Sequence, residues 1–269
     1  MGSRMSRGSV LVLLTAADGA AAALETAAAA APALGAPPIE VLHVRLDPVR
    51  TIMPSEEVLT PERISAVEAA SAVEGAATYD AFRAWQTAGH QGQWTEVIGE
   101  PADEIARRGK DASLVVVTLP RPHAPLPERA ALEAAVFATG RPVLAVPGDW
   151  HGGFGAHLAV GWHDTPATRQ ALTALRPWLL AAKAVTALTV GAAAAADGPL
   201  AGLPGRFDQR AVTPGDDTDG AALLSAAVAS GADALAMGAY RRGRILEWAL
   251  GGVTEYALHH ARLPLLLMH

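Results

Sequence analysis

Ten short runs rich in valine, leucine and isoleucine punctuate this chain, with longer alanine-rich stretches between them. That alternation is the signature of a parallel sheet. Strands buried on both faces read as continuous apolar runs, and each crossover between parallel strands needs a helix to cover a face. The predicted strands of the first half are 9–14, 39–44, 94–98, 113–118 and 142–146. Those of the second half are 157–162, 184–190, 207–213, 234–237 and 264–268.

Five runs in each half point to a duplication. Laid over each other, the copies differ by an insertion in the first, between residues 46 and 90. The insertion holds Pro48, Pro54 and Pro61, then a helical run whose Ile64, Val67, Phe82 and Trp85 fall on core-facing spacings. The matching connection of the second copy, 191–206, reads as a loop rich in glycine and alanine. The expectation is an α/β protein of two Rossmann-like doubly wound domains, 8–148 and 156–269, each a five-stranded parallel sheet with helices on both faces. Asp18 is predicted to cap a helix over 19–31 that stops at Pro32. Thr165-Pro166 starts a second helix over 167–182, and the aspartates of 216–219 precede a third over 220–230. The glycine-rich segment 149–155 reads as a mobile linker, with Trp150 a candidate cover for the seam between domains.

Composition narrows the function. About 60 of the 269 residues are alanine, which favours helices. Hydrophobic residues make up 51% and charged ones 18%, as in a globular core-forming chain. The net charge is −6 and the only lysines are Lys110 and Lys183, so the basic stripe of a nucleic-acid binder is missing. There is no cysteine, which excludes disulfides, thiolate catalysis and Cys-ligated metals. The apolar run 10–17 follows Arg4 and Arg7 as in a signal peptide, but it reaches Asp18 quickly and reads better as a strand. No apolar stretch is long enough for a membrane helix. The expected location is the cytoplasm, without membrane or nucleic-acid partners.

The most informative stretch begins at Ala234. A buried strand ends at Gly238, a loop carries Arg241, Arg242 and Arg244, and Gly251-Gly252-Val253-Thr254 opens a helix. Glycine at a strand end lets a ligand approach the backbone. Glycines at a helix start expose N–H groups where the helix dipole is positive, and Thr254 adds a hydroxyl. The product is an anion site at the carboxyl edge of a parallel sheet. On spacing alone the same glycines also serve as tight turns.

This pattern resembles that of the universal stress proteins, whose nucleotide-binding members show Gly-x2-Gly-x9-Gly-(Ser/Thr) after the fourth strand. Here Gly238-x2-Arg241-x9-Gly251-Gly252 is followed by Thr254, and Arg262-Leu-Pro264-Leu-Leu-Leu-Met-His269 is similar to the family's closing strand. Val160-Gly-Trp162-His-Asp164-Thr165 opens the second copy as family members open. The resemblance implies ATP, accompanied by Mg, in the second domain, contacted by Asp164, Val190, Gly238, Arg241, Gly251, Gly252, Val253 and Thr254. Arg241 replaces the second motif glycine, so the arginines of this loop either grip phosphate by charge-assisted hydrogen bonds or form a solvated loop. Asp164 either contacts the adenine and ribose end or simply adjoins the cap Thr165. The first copy matches more loosely: Asp18-Gly19, 39–44 and 140–147 resemble family elements. Its fourth-strand loop, however, carries Pro120, Pro122, Pro125 and Pro127, which lack the N–H groups of a phosphate cradle.

Family members commonly pair their last strands, so the resemblance implies that 142–146 meets 264–268 within the chain as an intramolecular pseudo-dimer. Two chains can still form a homodimer. The implied function is stress-response regulation through nucleotide occupancy, with an unnamed protein partner. Any hydrolysis is slow and incidental, because no general base is identifiable. The alternatives are a nucleotide-independent interaction protein and a small-ligand binder or enzyme on the same scaffold. No metal site is expected: the nine histidines lack ligand spacing, and His259 and His260, adjacent on a helix, should point in different directions. Trp85, Trp94, Trp162, Trp178 and Trp248 read as core.

Overall fold

The computed structural model describes residues 8–45, 60–121, 124, 126–191, 200–201, 206–215, 217–239 and 252–269. Ten strands form one sheet: β1 (Val10–Leu14), β2 (Ile39–Arg45), β3 (Gln93–Ile98), β4 (Leu114–Leu119) and β5 (Val143–Pro147), then β6 (His157–Gly161), β7 (Ala184–Val190), β8 (Arg206–Val212), β9 (Ala234–Gly238) and β10 (Leu265–Met268). Their order is β3-β2-β1-β4-β5-β10-β9-β6-β7-β8, so the second half repeats the first in reverse about the β5–β10 contact. That contact is antiparallel, while the pairs within each half are parallel. The strands match their sequence expectations to within one residue at either end. Each seam strand covers the other's exposed edge, which leaves β3 and β8 as the outer edges. Both edges carry charge: Glu96 lies on β3, and Asp208 pairs with Arg210 at 2.8 Å on β8.

Seven α-helices are described: α1 (Ala20–Ala30), α2 (Pro61–Thr87), α3 (Pro101–Arg108), α4 (Leu126–Ala138), α5 (Pro166–Ala181), α6 (Asp219–Ala229) and α7 (Gly252–His260). One apolar layer joins α1, the end of α2 and α5 to residues of one sheet face, including Val12, Leu144, Val160 and Leu266. The opposite layer joins α3, α4, α6 and α7 to Leu13, Ala145, Leu235 and Leu267. Both layers run unbroken through the seam. The indole of Trp178 on α5 also donates to the carbonyl of Ala30 at 3.0 Å, tying helices of the two halves together.

Thr165 caps α5 as predicted, its hydroxyl accepting from the N–H of Thr168 at 3.1 Å. Other expectations are corrected. Asp18 does not cap α1; Gly19 holds the cap position at φ 77° without a side-chain bond, and Asp18 pairs with Arg121 instead. A side chain at Gly19 would be strained by that φ and would meet Thr118 at 2.7 Å and Gly148 at 2.9 Å. The α-helix does end just before Pro32, at Ala30, and a 3-10 turn over Ala31–Leu34 carries the chain to Gly35. The cap of α6 is Thr218, accepting from the N–H of Ala221 at 3.2 Å, rather than an aspartate. Helix α3 was not anticipated; Ile105 is its buried anchor, and Glu104 holds Arg107 and Arg108 on its outer face.

The segment 149–155, read as a mobile linker, is held at its last residue, Gly155, where it enters β6. The Asp233 carboxylate accepts from the N–H groups of Gly155, Ala156 and His157 at 2.9, 2.7 and 3.1 Å. Trp150 packs against both apolar layers, as its predicted place over the seam requires.

Candidate functional site

In the second half the strand order reverses between β6 and β9. The chain leaves β6 toward α5 on one face of the sheet and leaves β9 toward α7 on the other, which opens a crevice at the carboxyl ends of the two strands. A cavity of about 550 Å³ occupies it. Gly161 and Gly238 end the strands at its floor. Leu188 and Val190 of β7, with Trp162 and Met237, make an apolar wall, and the first residues of α7, Gly252, Val253 and Thr254, close the far side.

The polar equipment lies where a helix begins. The leading N–H groups of a helix have no partner inside it and carry its positive end. Thr254 sets its hydroxyl beside them, with the residue only 5% exposed. No described atom lies within 4 Å of where a Cβ on Gly252 would stand, so protein packing does not demand glycine there. Gly161 is different: a Cβ there would sit 3.2 Å from Leu223 and 3.4 Å from Met237. The buried indole N–H of Trp162, whose ring lines the cavity, has no hydrogen-bond partner among the described residues.

Gly238, Val190, Gly252, Val253 and Thr254 are thus brought together as the sequence suggested. Arg241 and Gly251 lie outside the described residues, as do Arg242, Arg244 and Trp248. Asp164 stands at the rim rather than in the wall. Its carboxylate accepts from Nε of Arg169 at 2.6 Å, and that bond holds it below the usual carboxylate range against a small desolvation penalty. The Arg169 guanidinium in turn lies 5.7 Å from the Trp162 ring centre. Sequence reasoning missed Asp219 and Leu223, which enter the wall from α6. Nothing in their local pattern distinguishes them from an ordinary first turn.

The equivalent edge of the first half is covered by its own insertion. Helix α2 brings Glu74 to the loop after β1, where its carboxylate accepts from the Ala17 N–H at 2.7 Å. Gly75 lets the helix approach His43, whose Nε2 would lie 3.4 Å from a Cβ there. His43 is 2% exposed, donates from Nδ1 to the Leu14 carbonyl at 2.9 Å and stacks on Trp94. Of the insertion residues assigned to the core, Phe82 and Trp85 are buried, whereas Ile64 and Val67 are only half-buried. At the third residue of α4, the position that Thr254 holds in α7, stands Glu128. Burial lifts its carboxyl above the usual range, helped by the charges of Asp18 and Glu74 and opposed by Arg121.

Among the described residues no three histidine or acidic side chains are grouped to hold a metal ion, and no helix is long and apolar enough to cross a membrane. The rings of His259 and His260 are turned apart, tilted by 54° to one another, and only His260 stacks on Tyr256. Both line one groove at the far end of α7, with ring centres 6.4 Å apart.

Residues 163–269 match the model of the universal stress protein family and carry a domain of that family. No curated protein sequence matches the chain. Among solved structures, a universal stress protein from Archaeoglobus fulgidus DSM 4304 superposes with a TM-score of 0.66 at 13% identity, covering 97% of this chain and 96% of that one. A protein from Pseudomonas aeruginosa UCBPP-PA14, provisionally described as a universal stress protein, gives 0.58 at 13% identity over 98% and 93%. A protein of unknown function from Pseudomonas aeruginosa PAO1 gives 0.57 at 13% identity over 98% and 92%. These structures establish the fold, and the family match lies in the half that holds the cavity.

Proposed function

We propose that the universal stress protein family domain of residues 163–269 binds one adenine nucleotide, ATP foremost, in the cavity between β6 and β9. On this reading the chain is a stress-response regulatory protein whose nucleotide occupancy is read by a protein partner. The observation that supports it best is the start of α7: backbone donors and Thr254 at the cavity, with no described atom against Gly252, where a phosphate would meet the positive end of a helix. The apolar wall of Leu188, Val190 and Trp162 suits a base. Asp219 is the one carboxylate among the described wall residues, so Mg²⁺ would be held mainly by phosphate oxygens and water. The arginines at 241, 242 and 244 supply charge in place of the motif glycine.

The first half lacks this equipment. Glu128 puts a carboxyl where the phosphate hydroxyl donor stands in the second half, and Glu74 already takes the Ala17 N–H. Acid release of ligand from the purified chain, followed by identification, tests the reading. Adenine nucleotide at up to one per chain supports it. A different small molecule in the same cavity would move the assignment to a small-ligand binder on this scaffold. Thr254→Val should weaken ATP binding about tenfold to a hundredfold, the worth of one hydrogen bond to a charged group.

A further inference from the structure

A groove of about 800 Å³ crosses the seam between the halves. From the first half it is walled by the carboxyl ends of β4 and β5, with Arg121 and Asp149. From the second half come Leu224 and Val228 of α6, then His259, His260 and Arg262 at the end of α7. Two arginines and two imidazoles therefore face a single carboxylate. Arg121 is already paired with Asp18, whereas Arg262 is exposed and makes no ion pair among the described residues. Nδ1 of His259 lies 2.8 Å from the Glu255 carbonyl and Nδ1 of His260 lies 2.9 Å from that of Tyr256. A carbonyl only accepts, so each Nδ1 carries its proton, and in that tautomer each Nε2 is an acceptor rather than a donor. The His260 ring is also stacked on Tyr256 at 4.0 Å between centres. Val228 is a large aliphatic residue left 57% exposed, and it forms part of this wall.

We infer that the seam groove is a second ligand site, for an amphipathic organic anion. A carboxylate, sulfonate or phosphate head is held at Arg262, and an apolar body lies against Leu224 and Val228. A small hydrophilic anion would leave the apolar wall wet, and a neutral hydrocarbon would leave Arg262 unused. The site is built from both halves and is distinct from the nucleotide cavity, from which it differs in occupying the other end of α7. Its occupancy favours the paired arrangement of the halves by mass action.

The test titrates the full chain with 8-anilinonaphthalene-1-sulfonate, read by fluorescence, with decanoate as competitor. The proposal predicts saturable binding displaced by decanoate, weakened at least tenfold by Arg262→Glu and by Val228→Asp, and unchanged by Thr254→Val. Both substituted residues are exposed, and unchanged thermal melting confirms that the variants fold. Absence of binding to the native chain, or affinity that survives both seam variants, would overturn it. So would loss of binding in Thr254→Val, which would place the probe in the nucleotide cavity. Inorganic phosphate competing as well as decanoate would overturn the amphipathic assignment.

Discussion

Leu144 of β5 and Leu266 of β10 stand directly opposite one another at the centre of the antiparallel seam, and neither has exposed surface. Each belongs to the apolar layer that also contains α1 and α5. The two halves therefore share one core rather than touching through a solvated interface, and their unfolding should be coupled.

Leu266→Ala is expected to cost about 2–5 kcal/mol, the usual range for a buried leucine cut back to alanine. Urea unfolding should show one transition, with far-ultraviolet circular dichroism and tryptophan fluorescence coincident. Two separated transitions in the native chain would contradict the shared core.

Two helix-start glycines should behave oppositely. Gly19 sits at φ 77° against Thr118 and Gly148, so Gly19→Ala should destabilise the fold by more than about 1 kcal/mol. Gly252 meets no described atom within 4 Å of a Cβ, so Gly252→Ala should change stability by less than about 1 kcal/mol. Thermal melting of the two variants gives the comparison.

The raised carboxyl of Glu128 makes stability depend on pH with a definite sign. A carboxyl whose folded pKa exceeds its unfolded one holds its proton more tightly in the folded chain. That contribution is complete below about pH 4 and is lost as pH rises through the folded value. Glu128→Gln should therefore melt above the native chain at pH 7, with the difference shrinking toward pH 4. A constant difference across this range would show that the carboxyl is not held in a raised state.

Glu74 closes the first-half edge through one hydrogen bond to the Ala17 N–H. In Glu74→Ala that amide should exchange with solvent at least fivefold faster, with a global cost of at most about 1.5 kcal/mol. An unchanged exchange rate would mean that α2 does not guard the edge.

Much of this architecture was legible in the sequence because the strands are apolar on both faces. The run from Val10 to Leu14 has no polar position to blur its limits, and all five residues are buried. The seam was legible only through resemblance, since nothing in 142–146 or 264–268 encodes an antiparallel partner. Caps were read correctly where a hydroxyl preceded proline, at Thr165, and wrongly at Asp18, where a distant arginine outcompetes the local backbone. The hold of Asp233 on Gly155, Ala156 and His157 joins residues more than 75 positions apart, and local glycine content hides it. The cavity-lining residues on the strand ends and on α7 follow a motif. Asp219 and Leu223 reach the same cavity through tertiary packing, which leaves no local mark.

The stoichiometry of ATP binding, measured by calorimetric titration of the native chain and of Gly252→Val, tests the functional reading most directly. It predicts one site per chain with Mg²⁺ present, and loss of binding in Gly252→Val without loss of fold. Two sites per chain, binding that survives Gly252→Val, or no binding heat at millimolar ATP would contradict it.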